Sequence, residues 1–213
     1  MKNNIIALSF ALVPYYNISL KEIIMKGKIL FFVLIVVFCA ATIPAQSADN
    51  PALKTIINNF GARNYSAGTV TKAELDLILQ AGLRAPSASN RQPWHFTVVQ
   101  NQALVKKIIS QATDGNMLIV VSGAGDNKTN ASLVLDCALA VESIYLAAQA
   151  LGLGSRIYTG PIDNLNNTLK AELGLPAGHN AVAVIRIGRL PAGVDALSSA
   201  SPRANAGEKV TYK

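Results

Sequence analysis

The sequence predicts an α+β domain, in which helices flank a central mixed or antiparallel sheet. Three observations in residues 49–213 support this fold class. Helical and strand patterns follow one another without the regular βαβ spacing of a parallel sheet. Strand patterns at 117–123 and 180–188 are apolar enough to be buried. A helical pattern at 133–151 is apolar on nearly all sides, so it belongs in the centre of the fold or between subunits.

Two helices are predicted before the first strand. The stretch 50–60 has a helical pattern, and 71–82 has a clearer one. Thr71 and Glu74 have the spacing of a capping box, which marks the start of the second helix. Gly82 is predicted to end it, because glycine is common just after the last helical residue.

The remaining patterns complete the domain. The first strand is predicted at 94–100, an amphipathic helix at 103–112, a short strand or turn at 155–160, and a capped helix closed by Gly174 at 163–174. The tail 198–213 has little apolar content and cannot fold alone. There is no internal repeat or linker within 49–213, so these residues form one domain.

Residues 1–48 are predicted to be an N-terminal extension and a secretory signal peptide. The expected start is Met25, followed by Lys26 and Lys28 and then by fifteen apolar residues at 29–43. Small residues follow this segment, and cleavage after position 45 or 47 is expected. The rival interpretation is an uncleaved membrane anchor, since no charge lies between 29 and 48.

The charge of the mature domain is modest. The chain has 19 Lys and Arg and 12 Asp and Glu, of which four basic residues and one acidic residue lie in 1–48. The remaining net charge of +4 gives no case for nucleic-acid binding. Cys137 is the one cysteine outside 1–48, so an intrachain disulfide is excluded, and packing as a small apolar residue is expected.

The familiar catalytic and metal motifs are missing from the sequence. His95 and His179 have no Cys or carboxylate nearby at metal-ligand spacing, so no metal site is predicted. There is no hydrolase G-x-S-x-G motif and no P-loop, and the stretch 123–129 is interpreted as a surface turn. No side chain is therefore predicted to be a catalytic acid, base or nucleophile. An enzyme of this kind depends on a bound cofactor for its chemistry.

The polar loop before the first strand is the main candidate for such a cofactor site. Residues 84–93 read RAPSASNRQP and lead directly into Trp94. Asn90 can donate and accept hydrogen bonds, which suits the polar edge of a flat heterocycle. The alternative is purely structural: Pro86 and Pro93 shape a turn, Asn90 caps it, and Trp94 is part of the core.

The chain resembles the nitroreductase family of FMN-dependent oxidoreductases over about residues 53–213. The stretch APSASNRQPWHFTVV at 85–99 is similar to the family segment A-P-S-x-x-N-x-Q-P-W-x-F-x-V-V. NNFGARNY at 58–65 lies where the family has R-x-S-x-R-x-[FY]. The helix and glycine turn at 136–160 and the basic tail at 201–212 match in the same order.

The resemblance implies a dimeric α+β sandwich with FMN in a groove between the subunits. Arg63 and Arg203 correspond to residues near the FMN phosphate. The opposite subunit contributes the loop to the ring and the ribityl chain, and Gly160 corresponds to the turn whose N–H faces flavin N5. The implied cofactor-binding residues are Arg63, Pro86, Ser87, Ala88, Asn90, Gly160 and Arg203.

The family relationship also implies an activity. Hydride would pass from NAD(P)H through the flavin of a homodimer to a small oxidised acceptor such as a nitroaromatic or a quinone. The signal peptide, in turn, predicts an exported, periplasmic protein without stable membrane association after signal cleavage. Two positions depart from the family: Asn59 replaces an Arg, and Gly61 replaces a Ser. These departures favour an alternative, an exported flavin-binding protein with little or no reductase turnover.

Overall fold

The computed structural model describes residues 50–198 and 201–213, so the predicted signal peptide, the Met25 start and the domain boundary at 48/49 lie outside the described residues. The helices are α1 Pro51–Asn58, α2 Lys72–Leu83, α3 Gln102–Ile108, α4 Ala131–Ala150, α5 Ile162–Asn164, α6 Lys170–Leu173 and α7 Ala206–Lys209. The strands are β1 Trp94–Val99, β2 Met117–Ala124, β3 Gly154–Tyr158 and β4 His179–Gly188.

The four strands form one sheet with the order β1-β2-β4-β3. All three neighbouring pairs are antiparallel, so the fold is α+β and the mixed sheet that the sequence left open does not occur among the described strands. β2 lies in the middle of the sheet, and seven of its eight residues are buried. A register shift between Val121 and Ser122 interrupts its pairing with β4.

Each face of the sheet is covered by helices. On one face, Ile78 of α2 and Ile144 of α4 pack with Ile119 and other inward residues of β2 and β4. On the other face, Val105 of α3 and Leu165 lie over Val120 and its neighbours. Burial of apolar side chains on both faces explains why β2 and β4 read as nearly continuous apolar runs.

Helix α4 is the central helix that the sequence predicted. It is also the one helix of the described residues that is long and apolar enough to cross a membrane, with a mean hydropathy of 1.6, but it packs on the sheet and on α2. Gly82 lies at the α2 contact, where a Cβ atom would come 2.7 Å from Ile144. The prediction that Gly82 ends α2 is wrong: α2 continues to Leu83, and Gly82 allows the two helices to approach.

Other local predictions have mixed outcomes. The Thr71–Glu74 capping box is present at the start of α2, and Gly174 adopts the left-handed conformation after α6. The helix predicted at 163–174 is confirmed, since α5, a π turn at Leu165–Leu169 and α6 follow one another without a break, but no side chain caps its start. The strand predicted at 180–188 begins one residue earlier, because His179 is the first residue of β4.

Candidate functional site

A cavity of about 580 Å³ lies beside the segment 60–64, which follows α1. We call it the arginine pocket, and it is lined by Phe60, Gly61, Arg63, Asn64, Leu190, Pro191, Val194, Ser201 and Pro202. Its walls come from three distant parts of the chain: the segment after α1, the loop after β4, and the start of the tail. The tail therefore contributes to the pocket although it has no core of its own.

Buried side chains hold one wall of the arginine pocket in place. Gln149 of α4 is 1% exposed; its Oε1 accepts a hydrogen bond from Phe60 N at 3.1 Å, and its Nε2 donates to Phe60 O at 3.1 Å and Ser155 Oγ at 3.0 Å. Ser155 Oγ in turn donates to Tyr145 O at 2.9 Å, and Ala62 N donates to Ser155 O at 3.0 Å. The segment is thus fixed to α4 and β3 by satisfied buried polar groups.

Three arginines surround this segment without a carboxylate partner among the described residues. Arg63 is exposed in the pocket, and Arg203 Nη2 donates to Asn59 O at 3.5 Å. Arg156 lies on the other side, where its Cγ is 3.9 Å from a Cβ built on Gly61 and its guanidinium is 5.3 Å from the Tyr158 ring. None of the three belongs to an ion pair among the described residues. Arg63 is the one of the three that lines the pocket, so its charge favours an anion there.

Asn59 does not replace the missing family arginine. Its Nδ2 donates to Ile56 O at 2.5 Å, and its Oδ1 accepts from Tyr145 Oη at 3.3 Å. Its side chain is therefore used to end α1 and to connect it to α4. The empty space left at Gly61 lies next to Arg156 instead, a residue for which the sequence had suggested no definite role.

A buried cation lies on β4, paired in register with Arg156 of β3. Arg186 is 3% exposed; its Nε donates to Asn116 Oδ1 at 2.6 Å, and its guanidinium lies 4.0 Å from the centre of the Tyr65 ring. Burial raises the pKa of Tyr65 well above its usual value, although the charge of Arg186 opposes this shift. Arg186 was missed by the sequence prediction, although a charge within an otherwise apolar strand was a usable signal.

The polar loop at 84–93 has an unusual backbone. Ser89, Asn90 and Gln92 have φ angles of 51°, 55° and 48°, in the left-handed region that non-glycine residues rarely occupy. Ser87 Oγ accepts a hydrogen bond from Gln92 N at 2.9 Å, and Gln92 Nε2 donates to Asn90 Oδ1 at 3.1 Å. The loop is therefore closed on itself, and its strained residues are exposed.

Asp136 of α4 attaches this loop to the domain. Its side chain is 4% exposed, and its Oδ1 accepts from Ala88 N at 2.9 Å. Its Oδ2 has no hydrogen-bond partner and lies 3.6 Å from Arg91 Nη2, which donates to Ser132 Oγ at 2.6 Å. Sequence reasoning missed Asp136, although a carboxylate within an apolar helix was a usable signal.

The structure gathers the predicted cofactor residues into two groups. Arg63 and Arg203 lie at the arginine pocket, while Pro86, Ser87, Ala88 and Asn90 lie together in the loop. Gly160 is exposed in the turn after β3, with open space where a Cβ would be. The two groups contact α4 through Gln149 and Asp136, which are about 20 Å apart along the helix axis.

Several structural interpretations of single residues are confirmed. Trp94 is buried and stacks on Phe96, with ring centroids 6.5 Å apart. Cys137 is buried, and burial raises the pKa of its thiol to about 11. Asp126 folds the turn at 123–129 through hydrogen bonds from Lys128 N and Thr129 Oγ1.

No group of three or more His, Cys, Asp or Glu side chains is placed to hold a metal ion in the part of the chain that the structure describes. The fold and the site thus define an α+β protein with an antiparallel sheet, a buried central helix and a basic pocket. The comparison with known families goes further. The model of the Nitroreductase family matches residues 62–116 and 110–189. The chain therefore belongs to the nitroreductase family.

Individual relatives agree with this assignment. A protein of Archaeoglobus fulgidus that is named an NADH dehydrogenase/NAD(P)H nitroreductase is 36% identical over 146 residues, which are 64% of this chain and 83% of the relative. A similarly named crystal structure from Bacteroides thetaiotaomicron aligns with a TM-score of 0.64 at 26% identity, covering 78% of this chain and 98% of its own.

An FMN-bound nitroreductase structure has the same fold. The protein from Desulfitobacterium hafniense aligns with a TM-score of 0.64 and covers 78% of this chain and 100% of its own. At 22% identity, this likeness shows the fold alone.

Proposed function

We propose that the protein is an FMN-dependent NAD(P)H oxidoreductase that reduces a small oxidised acceptor, such as a nitroaromatic or a quinone. The observation that carries this proposal is the arginine pocket of a member of this family: Arg63 lines it without a carboxylate partner among the described residues, and Arg203 lies next to its lining residue Pro202 in the chain. A bound flavin supplies the ring that accepts and passes on hydride. The protein then has to bind, orient and shield that ring.

The arginine pocket fits the phosphate end of FMN. Arg63 lines the pocket, and Arg203 directly follows its lining residue Pro202. Guanidinium groups make charge-assisted bonds to phosphate oxygens, which supports these two arginines as phosphate ligands. Arg156 lies beside Gly61 and offers a third cation where the family has a serine. The Gln149 network keeps this wall in place, so the arginines need little rearrangement to bind.

The ring end of the site is proposed to involve a second subunit. Within one chain the loop residues contact α4 about 20 Å from the contact that fixes the arginine pocket. In a two-fold dimer, the loop of one subunit can reach the pocket of the other. Gly160 would leave space for a flat ring to approach the backbone, since it has no side chain.

Exposed apolar side chains support the dimer. Leu135 on α4 is 61% exposed, and Ile56 and Ile57 on α1 are 53% and 63% exposed. Apolar surface of this kind on helices is typical of subunit interfaces. Light scattering on residues 49–213 should give a dimer, and a stable FMN-bound monomer would contradict the shared site.

Two arginine variants test the cofactor assignment. Arg63→Ala and Arg203→Ala should each weaken FMN binding about tenfold or more, because a charge-assisted contact contributes roughly 1.5–3 kcal/mol. Riboflavin lacks the phosphate and should bind the wild type and both variants equally. Lys107→Ala, which removes an exposed positive charge of α3 outside both the pocket and the loop, is the matched control. Unchanged FMN affinity in both variants, measured by fluorescence titration, would show that these arginines do not contact the phosphate.

The alternative is a flavin-binding protein with little or no turnover. The use of Asn59 in helix capping favours it, because the family arginine is not replaced at that position. Mixing FMN-loaded protein with NADH or NADPH under anaerobic conditions separates the two functions. Bleaching of the flavin absorption indicates a reductase, and an unchanged spectrum indicates the binding protein.

We also propose that the protein is exported. The basic, apolar and small-residue order from Lys26 to Ala48 supports a cleaved signal peptide. N-terminal sequencing of the exported protein should begin between Gln46 and Asp49. A cytoplasmic protein that retains Met25 would contradict the export proposal without affecting the oxidoreductase proposal.

A further inference from the structure

We propose that His95 and His179 form a binding site for a late first-row divalent ion, Zn²⁺, Ni²⁺ or Cu²⁺. The two histidines are far apart in the sequence, but the fold brings them together at one end of the sheet. His95 lies on β1 opposite Ser122 of β2, and His179 begins β4 opposite Ala124. The two imidazoles therefore flank the end of the central strand β2.

The separation of the rings suits a shared ion. Their centroids are 6.0 Å apart, and their planes make an angle of 85°. A metal–nitrogen distance of about 2.0–2.1 Å places an ion about 3.2 Å from the centre of a ligating imidazole. Two rings on one ion then have centroids about 5–6 Å apart, so side-chain rotation is enough to bring both nitrogens to the ion.

Ser122 orients one of the two rings. Its Oγ is buried, 3.4 Å from His95 O and 3.4 Å from His179 Nδ1. A hydroxyl that donates to the His95 carbonyl can accept from Nδ1–H of His179. This tautomer leaves the lone pair of His179 Nε2 free, and ligating histidines commonly donate their other N–H to a fixed partner.

The described residues supply two protein ligands to the ion, one from each histidine. No third His, Cys, Asp or Glu joins the pair within residues 50–198 and 201–213, so water completes the coordination. The site is thus an exchangeable one, and the general order of divalent ions predicts that Cu²⁺ binds more tightly than Ni²⁺.

Direct ion binding tests the site, and it does so independently of FMN. The whole chain contains only two histidines, so protein prepared without a histidine tag has no other imidazole ligand. Titration calorimetry with Zn²⁺ should give one ion per chain. Electron paramagnetic resonance of the Cu²⁺ form should show two nitrogen ligands. Both measurements are expected to give the same result with and without bound flavin.

Matched variants decide the assignment. His95→Gln and His179→Gln should each lower Zn²⁺ affinity more than tenfold, and Ser122→Ala should lower it about tenfold through loss of ring orientation. Asp126→Asn, a change at the exposed carboxylate of the neighbouring turn, should leave affinity unchanged. Circular dichroism confirms that each variant is folded. Absence of Zn²⁺ binding by the wild type, or wild-type affinity in both histidine variants, would overturn the proposal.

Discussion

The arginine pocket and the loop at 84–93 are anchored to the same helix in opposite ways. At the pocket, Gln149 makes three hydrogen bonds to Phe60 and Ser155, and all of its polar atoms have partners. At the loop, Asp136 makes one hydrogen bond to Ala88 and leaves Oδ2 without one. The polar groups of the first region are satisfied by hydrogen bonds within the chain. The second region keeps left-handed backbone residues and a buried carboxylate oxygen that has no hydrogen bond and lies 3.6 Å from Arg91.

The largest expected effect concerns the pocket. Gln149→Leu removes the partners of Phe60 N and O and should lower the free energy of unfolding by about 3 kcal/mol, because buried backbone groups are left unpaired. Urea denaturation of FMN-free protein measures the change. Gln80→Leu makes the same replacement at an exposed position of α2 and should cost much less. Equal losses in the two variants would mean that the pocket is not fixed by Gln149.

A smaller effect is expected at the loop. Asp136→Ala should destabilise the protein by about 2 kcal/mol, since Ala88 N loses its buried acceptor. Asp136→Asn keeps an oxygen for that bond and should cost less. Asp76→Ala, which breaks only an exposed pair with Lys72, is the control and should cost less than about 1 kcal/mol. If Asp136→Asn lowers the free energy of unfolding as much as Asp136→Ala does, the negative charge beside Arg91 contributes more than the hydrogen bond to Ala88 N.

The ion pair next to the outer wall of the pocket should make the stability of the protein depend on pH. Arg189 donates to both carboxylate oxygens of Glu74, at 2.8 and 2.7 Å, just before the wall residues Leu190 and Pro191. Burial alone would raise the pKa of Glu74, but hydrogen bonds from Arg189 and Thr71 outweigh it and lower that pKa. The resulting stabilisation is present above the unfolded-state pKa of about 4.3 and is lost as the pH falls through the lower, folded-state pKa.

Glu74→Gln tests this dependence. The variant should lose up to about 1 kcal/mol at pH 7 and should show a weaker loss of stability below pH 4 than the wild type. Denaturation series at several pH values measure both differences. Glu208→Gln in the exposed α7 should leave the acid response as it is in the wild type. An identical acid response in Glu74→Gln would contradict the role of this pair.

The smallest effect should be a gain in stability. Ser89→Gly removes the strain of a non-glycine residue in the left-handed region, at φ 51°. The greater freedom of the unfolded chain offsets part of this gain, so the free energy of unfolding should rise by about 0.5 kcal/mol and the melting temperature should rise with it. Ser87→Gly is the contrasting variant: Ser87 has an extended backbone and accepts from Gln92 N, so the melting point should fall. A fall in both would show that Ser89 is not strained.

The difference between the two regions also explains what could be predicted from the sequence. Local signals gave the capping box of α2 and the order of strands along the chain, because they depend on neighbouring residues. The sequence did not reveal that Gly82 permits helix contact, since that depends on Ile144 more than sixty residues away. Asp136 and Gln149 carried a signal as polar residues in an apolar helix, but their partners lie in distant segments.

The strand order β1-β2-β4-β3 has a consequence for the order of folding. β3 pairs with β4 alone, and β4 follows it in the chain. Ser155 O of β3 also accepts a hydrogen bond from Ala62 N, in the segment that forms one wall of the arginine pocket. The chain is synthesised from its N-terminus, so the pocket cannot be complete until β4 has been made and β3 has paired with it at the sheet edge. The loop after β4 also supplies Leu190, Pro191 and Val194 to the pocket, so the arginine pocket is among the last parts of the domain to be completed during synthesis.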